Sequence, residues 1–183
     1  LLIGTVIAMG IEFLDNTIKS VEQIERRGLS ILSIIPAIGA VSNKKFTKRY
    51  SKKNINVEKL QRRLITHEDP KSPISEAYRG LRTSLMYTGN KNDNCNIILV
   101  SSPGPGEGKT TTIANLAITY ANLGKKTLLV DSDLRKPVLH NVFKIDKSPG
   151  LTSFLCGANS IKDIISKSEI ENLDIIPSGI IPP

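Results

Sequence analysis

Apolar and polar positions fall in blocks along the chain, and the block lengths switch between those of strands and those of helices. Residues 97–100 (IILV) and 127–130 (TLLV) are short unbroken apolar runs, the pattern of strands buried on both faces. Between them Ile113, Leu116, Ala117 and Tyr120 recur at helical spacing, with Gly124 placed to end the helix. Residues 173–177 (LDIIP) read as a further strand. Ser72 followed by Pro73 is a cap with proline at the first helical position, so a helix is predicted to about Tyr87, with Ala77, Leu81 and Leu85 on one face. Ser20 with Gln23 has capping-box spacing and predicts a short helix that Gly28 closes, and residues 31–35 (ILSII) predict a strand ended by Pro36. Short helices are predicted near 137–143, 150–156 and 160–166. Strand, helix and strand in this order predict an α/β fold, a parallel sheet flanked by helices with right-handed crossovers.

The ends of the chain read differently from its middle. Residues 1–11 (LLIGTVIAMGI) carry no charge, and Glu12 follows. A membrane-spanning helix needs about 20 apolar residues, so this run cannot span alone. Two readings fit: a buried strand or short helix of a soluble domain, or the last part of a transmembrane helix. Lys19, Arg26 and Arg27 in the next stretch permit a cytoplasmic side without requiring it. The far end runs from a strand tip straight into SGIIPP, an abrupt stop for an α/β domain. The organisation predicted is an apolar stretch over 1–12, with both readings open, a segment over 13–36, a linker over 37–71 and an α/β domain over 72–183.

Charge sharpens the linker. The chain has 183 residues and a formal net charge of +8. Residues 43–63 hold nine basic residues against one acid, Glu58, and so carry the whole excess. The basic surplus belongs to one segment and not to the folded part. Two cysteines, Cys95 and Cys156, and two histidines, His67 and His140, show no zinc-ligand spacing, and a disulfide framework is not indicated. Aromatics at 4% with no Trp disfavour a single-strand nucleic-acid binder built on stacking platforms.

The chemistry sits after the apolar runs. Behind residues 97–100 comes SSPGPGEGKTTT and then a helix. This is close to the phosphate-loop pattern GxxxxGK[ST], but Pro103 stands where the first glycine belongs. Gly104, Gly106 and Gly108 supply the backbone freedom that lets consecutive N–H groups turn inward around a phosphate, and the helix start adds its positive dipole end. Lys109 is placed to reach the β- and γ-phosphates, Thr110 to set a hydroxyl on Mg²⁺, and Thr111 to contact the α-phosphate. Glu107 lies within the same nucleotide-binding loop, its side chain read as filler. The bland alternative, a Gly/Pro connector, does not explain why strand, loop, GK[ST] and helix coincide.

Behind the second run stands Asp131-Ser132-Asp133-Leu134-Arg135. Residues two apart on a strand share a face, and two carboxylates on one face repel unless a cation or proton lies between them. Asp131 and Asp133 are therefore candidates for contact with a nucleotide-bound metal and for accepting a proton from an attacking hydroxyl. The alternative is a polar strand end with an aspartate paired to Arg135. Asp174 imitates a second acidic motif, but it opens its strand instead of ending it, and is read as structural at the wrong edge of the sheet. Glu76, Arg79 and Arg82 recur every three residues on the predicted 72–87 helix; spacing alone suggests a solvated face with a Glu76–Arg79 pair. His140 reads as packed or capping, and His67 receives no role.

Together these motifs resemble the bacterial tyrosine autokinases of capsule and exopolysaccharide synthesis, in the form fused to a polysaccharide co-polymerase membrane region. SPISEAYRGLRTSL resembles the opening of that family's kinase domain, SSPGPGEGKTTT its Walker A loop, and LLVDSDLRKP its distinctive second motif. EFLDNTIKSVEQIE with LSILSIIP resembles the stretch after its last transmembrane helix. The resemblance implies a P-loop parallel-sheet domain that uses ATP and Mg²⁺ for autophosphorylation on tyrosine. It implies phosphate binding by Lys109 and Thr110, activation of the acceptor tyrosine by Asp131, and Asp133 near the metal, in contact with it through a water. It also implies that Glu76, Arg79 and Arg82 form an oligomerisation motif docking on a neighbouring subunit of a ring. Residues 1–12 then become the end of a transmembrane helix in the plasma membrane, 13–36 a juxtamembrane segment and 72–183 a P-loop kinase domain on the cytoplasmic side, and the partners become the tyrosine-rich tail of a neighbour and the polysaccharide polymerisation and export machinery.

Some of the family's parts do not occur in these residues. The Walker B strand, the C-terminal tyrosine cluster and the periplasmic region are missing, and Tyr50, Tyr78, Tyr87 and Tyr120 are scattered. The chain is expected to be a fragment that binds nucleotide weakly and does not autophosphorylate efficiently alone. Two other classes compete. A partitioning-type ATPase switch would carry a second lysine where Gly104 stands. A non-enzymatic adaptor working through residues 43–63 would bind nucleic acid or membrane with steep salt dependence; nucleic acid is the disfavoured partner.

Overall fold

The structure is a computed structural model of the whole chain, and it describes residues 20–36, 64–88, 97–104 and 106–180, with Gly10 and Phe13 besides. The readings placed on residues 1–9, the basic segment and Cys95 lie outside the described residues. The chain divides into two units, Leu1–Ile34 and Ile35–Pro183. In the first, helix α1 (Val21–Glu25) forms where expected, but Ser20 makes no side-chain capping bond. Gly28 follows at φ 75°, in the left-handed region that suits glycine. No strand forms over residues 31–35. An apolar run becomes a strand only where another edge takes its backbone groups, and Leu32 and Ile34 instead stay exposed.

The second unit holds the remaining elements. Helix α2 (Ile65–Glu68) is followed by α3 (Pro73–Thr88). The Ser75 N–H donates to Ser72 Oγ at 3.1 Å, so the predicted cap is made. The buried face of α3 centres on Ile74, Ser75 and Tyr78, while Ala77, Leu81 and Leu85 are half-buried beside it. Helix α4 (Lys109–Ala121) starts directly behind Gly108. It ends in a turn closed by Gly124 at φ 78°, and strand β1 (Thr127–Val130) returns from there. Short helices α5 (Leu139–Phe143) and α6 (Leu151–Leu155) lead to β2 (Ser166–Lys167) and β3 (Leu173–Ile176).

The described sheet has the order β1-β3-β2. β1 pairs with β3 in parallel, Thr127 opposite Leu173 and Val130 opposite Ile176. β2 pairs with β3 antiparallel. One apolar layer joins Ala114, Ala117 and Ile118 of α4 to Leu129, Leu173 and Ile175 of the sheet and to Leu139, Val142 and Phe143 of α5.

Four further expectations need correction. Residues 97–100 form no strand: Ile97 is 91% and Leu99 82% exposed, and among the described residues no strand pairs with this run. Strand β1 is buried on one face only, Leu129 inward with Leu128 and Val130 exposed, because α4 covers a single side. Residues 161–164 turn instead of forming a helix and deliver β2, which was too short to show periodicity. Finally, residues 64–71 are not linker. Thr66 is buried, its N–H donating to Asn115 Oδ1 of α4 at 3.0 Å, so the folded unit takes in Leu64 onward.

The chain behind β3 is pinned to α6. The N–H groups of Leu151 and Thr152 donate to the carbonyls of Pro177 and Ser178 at 2.8 and 2.9 Å, and Thr152 Oγ1 donates to the Ile180 carbonyl at 2.7 Å. Gly150 is what permits this approach: a Cβ there would overlap the backbone of Pro177 and Gly179. Gly150→Ala is therefore expected to destabilise the protein by about 2–4 kcal/mol, read as a lower midpoint in urea unfolding.

Candidate functional site

The phosphate loop is built by two left-handed glycines. Gly106 and Gly108 have φ 81° and 95°, and a Cβ at either would meet nothing within 4 Å, so conformation and not crowding demands glycine. The missing glycine at Pro103 is thus tolerated, because the turns that need positive φ lie further on. Helix α4 begins at Lys109, and the Thr112 N–H is the first to find a helical acceptor, the Gly108 carbonyl at 2.8 Å. The N–H groups of Lys109, Thr110 and Thr111 have no acceptor within the helix and face the end where an anion is stabilised.

Lys109 is folded across the loop. Its Nζ donates to Ser102 Oγ at 3.1 Å and to the Gly104 carbonyl at 3.2 Å, while Ser102 Oγ donates to that same carbonyl at 2.9 Å. Ser102 was not legible as part of the site, since only its position relative to Lys109 in the folded loop gives it a role. Glu107 is exposed, with its carboxylate close to Gly104.

Asp131 follows β1, and its N–H donates to the Ile176 carbonyl at 2.9 Å, continuing the ladder with β3. Asp131 and Asp133 do not share a strand face, because the strand ends at Val130 and the chain turns. Asp131 is buried; Oδ1 accepts from the Asp133 N–H at 3.3 Å and Oδ2 from the Leu139 N–H at 3.1 Å, at the start of α5. Asp133 is exposed, and its Oδ1 accepts from the N–H groups of Arg135 and Lys136 at 3.2 and 3.0 Å. The aspartate–arginine contact is thus made through the Arg135 backbone. Lys109 and Asp131 stand at one end of the unit, because α4 leads through a short turn into β1, which returns alongside it.

Burial raises the Asp131 pKa above the ordinary carboxylate value; the backbone donors, Leu139 first, oppose this, and the Asp133 charge adds to it. The folded state therefore holds this proton to higher pH than the unfolded chain does. The resulting stabilisation is full below the unfolded pKa and is lost as pH rises through the folded one. Asp131→Asn cannot ionise, so in nucleotide-free protein its urea midpoint should gain on that of wild type as pH rises from the ordinary carboxylate range toward neutrality. A constant gap across that range would show that Asp131 is not raised.

The motif helix is tied to the phosphate-loop helix. Glu76 pairs with Arg79, as expected of the solvated-face reading. Arg82 turns inward and donates from Nη1 to the Thr119 carbonyl at 2.7 Å. Tyr78 is 2% exposed and bonded to the Thr112 side chain, and burial pushes its phenol pKa up. Asn115 is buried in the same helix, taking the Thr66 N–H on Oδ1 and donating from Nδ2 to the Thr111 carbonyl at 2.8 Å. Neither Tyr78 nor Asn115 carried a signal in sequence, since their partners are distant in the chain.

Other candidates fall outside this cluster. Asp174 pairs with Lys167 at 2.9 Å on β3, which is central in the described sheet and not at its edge. This supports its structural reading. His140 is half-buried in α5, its Nδ1 without a hydrogen-bond partner among the described residues. His67 lines a separate cavity of about 220 Å³ with Leu64, Val142 and Phe143. Cys156 is exposed. Among the described residues no group of three His, Cys, Asp or Glu is arranged to hold a metal, and no helix is long and apolar enough to cross a membrane.

Comparison with known proteins agrees with this geometry. A family described as an AAA domain matches residues 95–181. The tyrosine-protein kinase YwqD of Bacillus subtilis is 42% identical over 125 residues, covering 68% of this chain and 52% of that protein. The tyrosine-protein kinase etk of Escherichia coli is 29% identical over 186 residues, covering 99% of this chain and 25% of that protein. The chain thus spans about half the length of the first relative and a quarter of the second. Among solved structures, the kinase domain of Escherichia coli tyrosine kinase ETK matches with a TM-score of 0.75 at 29% identity, over 91% of this chain and 62% of that one. The chimerical protein CapA2B2 matches with a TM-score of 0.69 at 39% identity, over 90% of this chain and 62% of that one.

Proposed function

The chain belongs to the bacterial tyrosine-protein kinases of P-loop fold, and on that premise we propose that it transfers the γ-phosphoryl group of ATP to tyrosine in the control of capsular or extracellular polysaccharide synthesis. The observation that carries the reading is the joint placement of Lys109 in a glycine loop at a helix start and of Asp131 at the neighbouring strand end. The loop fits a nucleotide: the open space at Gly106 and Gly108 and the N–H groups at the start of α4 suit phosphate oxygens.

Each residue then has a task. The backbone of Gly104, Gly106, Glu107 and Gly108 cradles phosphate, with Thr111 beside it. Lys109 exchanges its bonds to Ser102 and Gly104 for phosphate oxygens, so its charge is directed without a new side-chain search. Mg²⁺ fits Thr110 and Asp133, the latter exposed with one oxygen engaged by backbone; the ion supplies charge neutralisation on the phosphates. Asp131 accepts the tyrosine proton, and its raised pKa makes it a better base than an ordinary carboxylate.

Glu76 and Arg79 lie on the accessible side of α3 and suit contact with a second subunit, whereas Arg82 is drawn against α4 and positions the helix. A ring of subunits, a neighbour's tyrosine-rich tail, a plasma-membrane location with the kinase on the cytoplasmic side, and the polysaccharide machinery as partner belong to the same proposal. Its test is phosphoamino-acid analysis of the protein expressed from its whole reading frame, after incubation with ATP and Mg²⁺. Phosphotyrosine is the expected product, and its absence overturns the reading.

A further inference from the structure

Three of the four tyrosines are described, and the fold treats them differently. Tyr78 is 2% exposed, with its hydroxyl bonded to Thr112. Tyr120 is half-buried beside Arg82. Tyr87, in the last turn of α3, is 81% exposed. An acceptor must carry its hydroxyl into an active site, and of these three Tyr87 alone is exposed enough to do so without unpacking the core.

The course of α3 rules out the chain's own active site. Tyr78 touches Thr112, three residues past Lys109 along α4, and Arg82, one turn later, already reaches Thr119. The two helices therefore run away from the phosphate loop together. Tyr87 lies nine residues beyond Tyr78, about 13 Å further along the axis and on the opposite side of the helix. Its outward stripe is shared by Glu76, Gly80 and Thr83, all exposed. While α3 stays helical, the Tyr87 hydroxyl cannot meet a nucleotide held by Lys109 of the same chain.

The geometry points to Tyr87 as a phosphorylation site modified in trans by a second copy of this chain, an inference that rests on the kinase reading. The Tyr87 Oη attacks the γ-phosphorus of ATP bound to the other copy. An Oη–P bond forms, the bond from that phosphorus to the β,γ-bridging oxygen breaks, and its electron pair leaves on ADP. The phenolic proton passes to the Asp131 carboxylate of the other copy and on to water. The new phosphate sits at the C-terminal end of α3, where negative charge opposes the helix dipole. It loosens the last turn, which Thr88 Oγ1 now holds by donating to the Ser84 carbonyl at 2.8 Å.

The test mixes two forms of the protein expressed from its whole reading frame: wild type, and an isotopically heavy Lys109→Met variant. After incubation with ATP and Mg²⁺, trypsin releases residues 83–91 (TSLMYTGNK) with Tyr87 inside, and fragment ions separate phosphotyrosine from phosphothreonine and phosphoserine. The heavy peptide should carry phosphate on Tyr87 in the mixture, and none when the variant is incubated alone. Tyr87→Phe should remove this signal and leave labelling of other tyrosines unchanged. Phosphotyrosine elsewhere with none on Tyr87 overturns the inference and spares the kinase reading. Tyr87 labelling confined to the wild-type copies, at a rate independent of concentration, overturns the trans route. No phosphotyrosine on any peptide overturns the kinase reading itself.

Discussion

Lys109→Met is expected to lower phosphate transfer to tyrosine by on the order of 10²–10³-fold, with stability within about 0.5 kcal/mol of wild type. The side chain is half-buried and spans the loop, and methionine fills similar space. What it loses is the ammonium now held by Ser102 Oγ and the Gly104 carbonyl. Those contacts lie on a part-buried loop, so their removal costs little folding energy. The charge matters more when phosphate oxygens carry the negative charge of the transition state, since a donor already in place needs no reorganisation. Phosphotyrosine yield and urea midpoint, measured on the same preparation, separate the two effects. A variant that loses phosphotyrosine only because it unfolds would assign Lys109 to loop architecture.

Asn115→Ala is expected to cost about 2–4 kcal/mol of stability, which for a chain of this size lowers the melting temperature by roughly 4–16 °C. Asn115 is 0% exposed. Its Oδ1 accepts from the Thr66 N–H at 3.0 Å and from Thr66 Oγ1 at 2.9 Å, and its Nδ2 donates to the Thr111 carbonyl at 2.8 Å. Alanine leaves a buried N–H, a buried hydroxyl and a carbonyl beside the phosphate loop without these partners. A double-mutant cycle with Thr66→Val isolates the bond from Thr66 Oγ1 to Asn115 Oδ1, since the Thr66 N–H is kept, and the two substitutions should be clearly non-additive. Full additivity would mean that this hydroxyl bond between α2 and α4 contributes nothing. The same variant should weaken nucleotide binding, because Thr111 lies in the first turn of α4.

These two residues mark how far the sequence could be read. Lys109 was legible because the phosphate loop is a local device: the glycines, the lysine and the helix start are neighbours in the chain. Its rule also survived the loss of a glycine at Pro103, since the left-handed turns fall at Gly106 and Gly108. Asn115 was not legible, because its role depends on Thr66, 49 residues away. The same non-locality explains residues 97–100. An apolar run is a strand only if another strand takes its edge and other elements cover its faces, and neither can be read from four residues. Asp131 and Asp133 were found, but their arrangement was mistaken. Their spacing fitted a continuing strand, whereas the chain turns after Val130 and spends the Asp131 carboxylate partly on the start of α5. Helix α3 was placed to within a residue because Ser72 and Pro73 announce its start, yet the inward turn of Arg82 required the position of α4.

The γ-phosphoryl group itself provides the most direct measurement. The protein expressed from its whole reading frame is incubated with Mg²⁺ and ATP labelled at the γ-phosphate, and the label is divided between tyrosine and inorganic phosphate. The expected result is label accumulating on tyrosine in wild type and not in Lys109→Met. Label released solely as inorganic phosphate, or equal labelling of tyrosine in Lys109→Met, would contradict a tyrosine kinase built on Lys109 and Asp131.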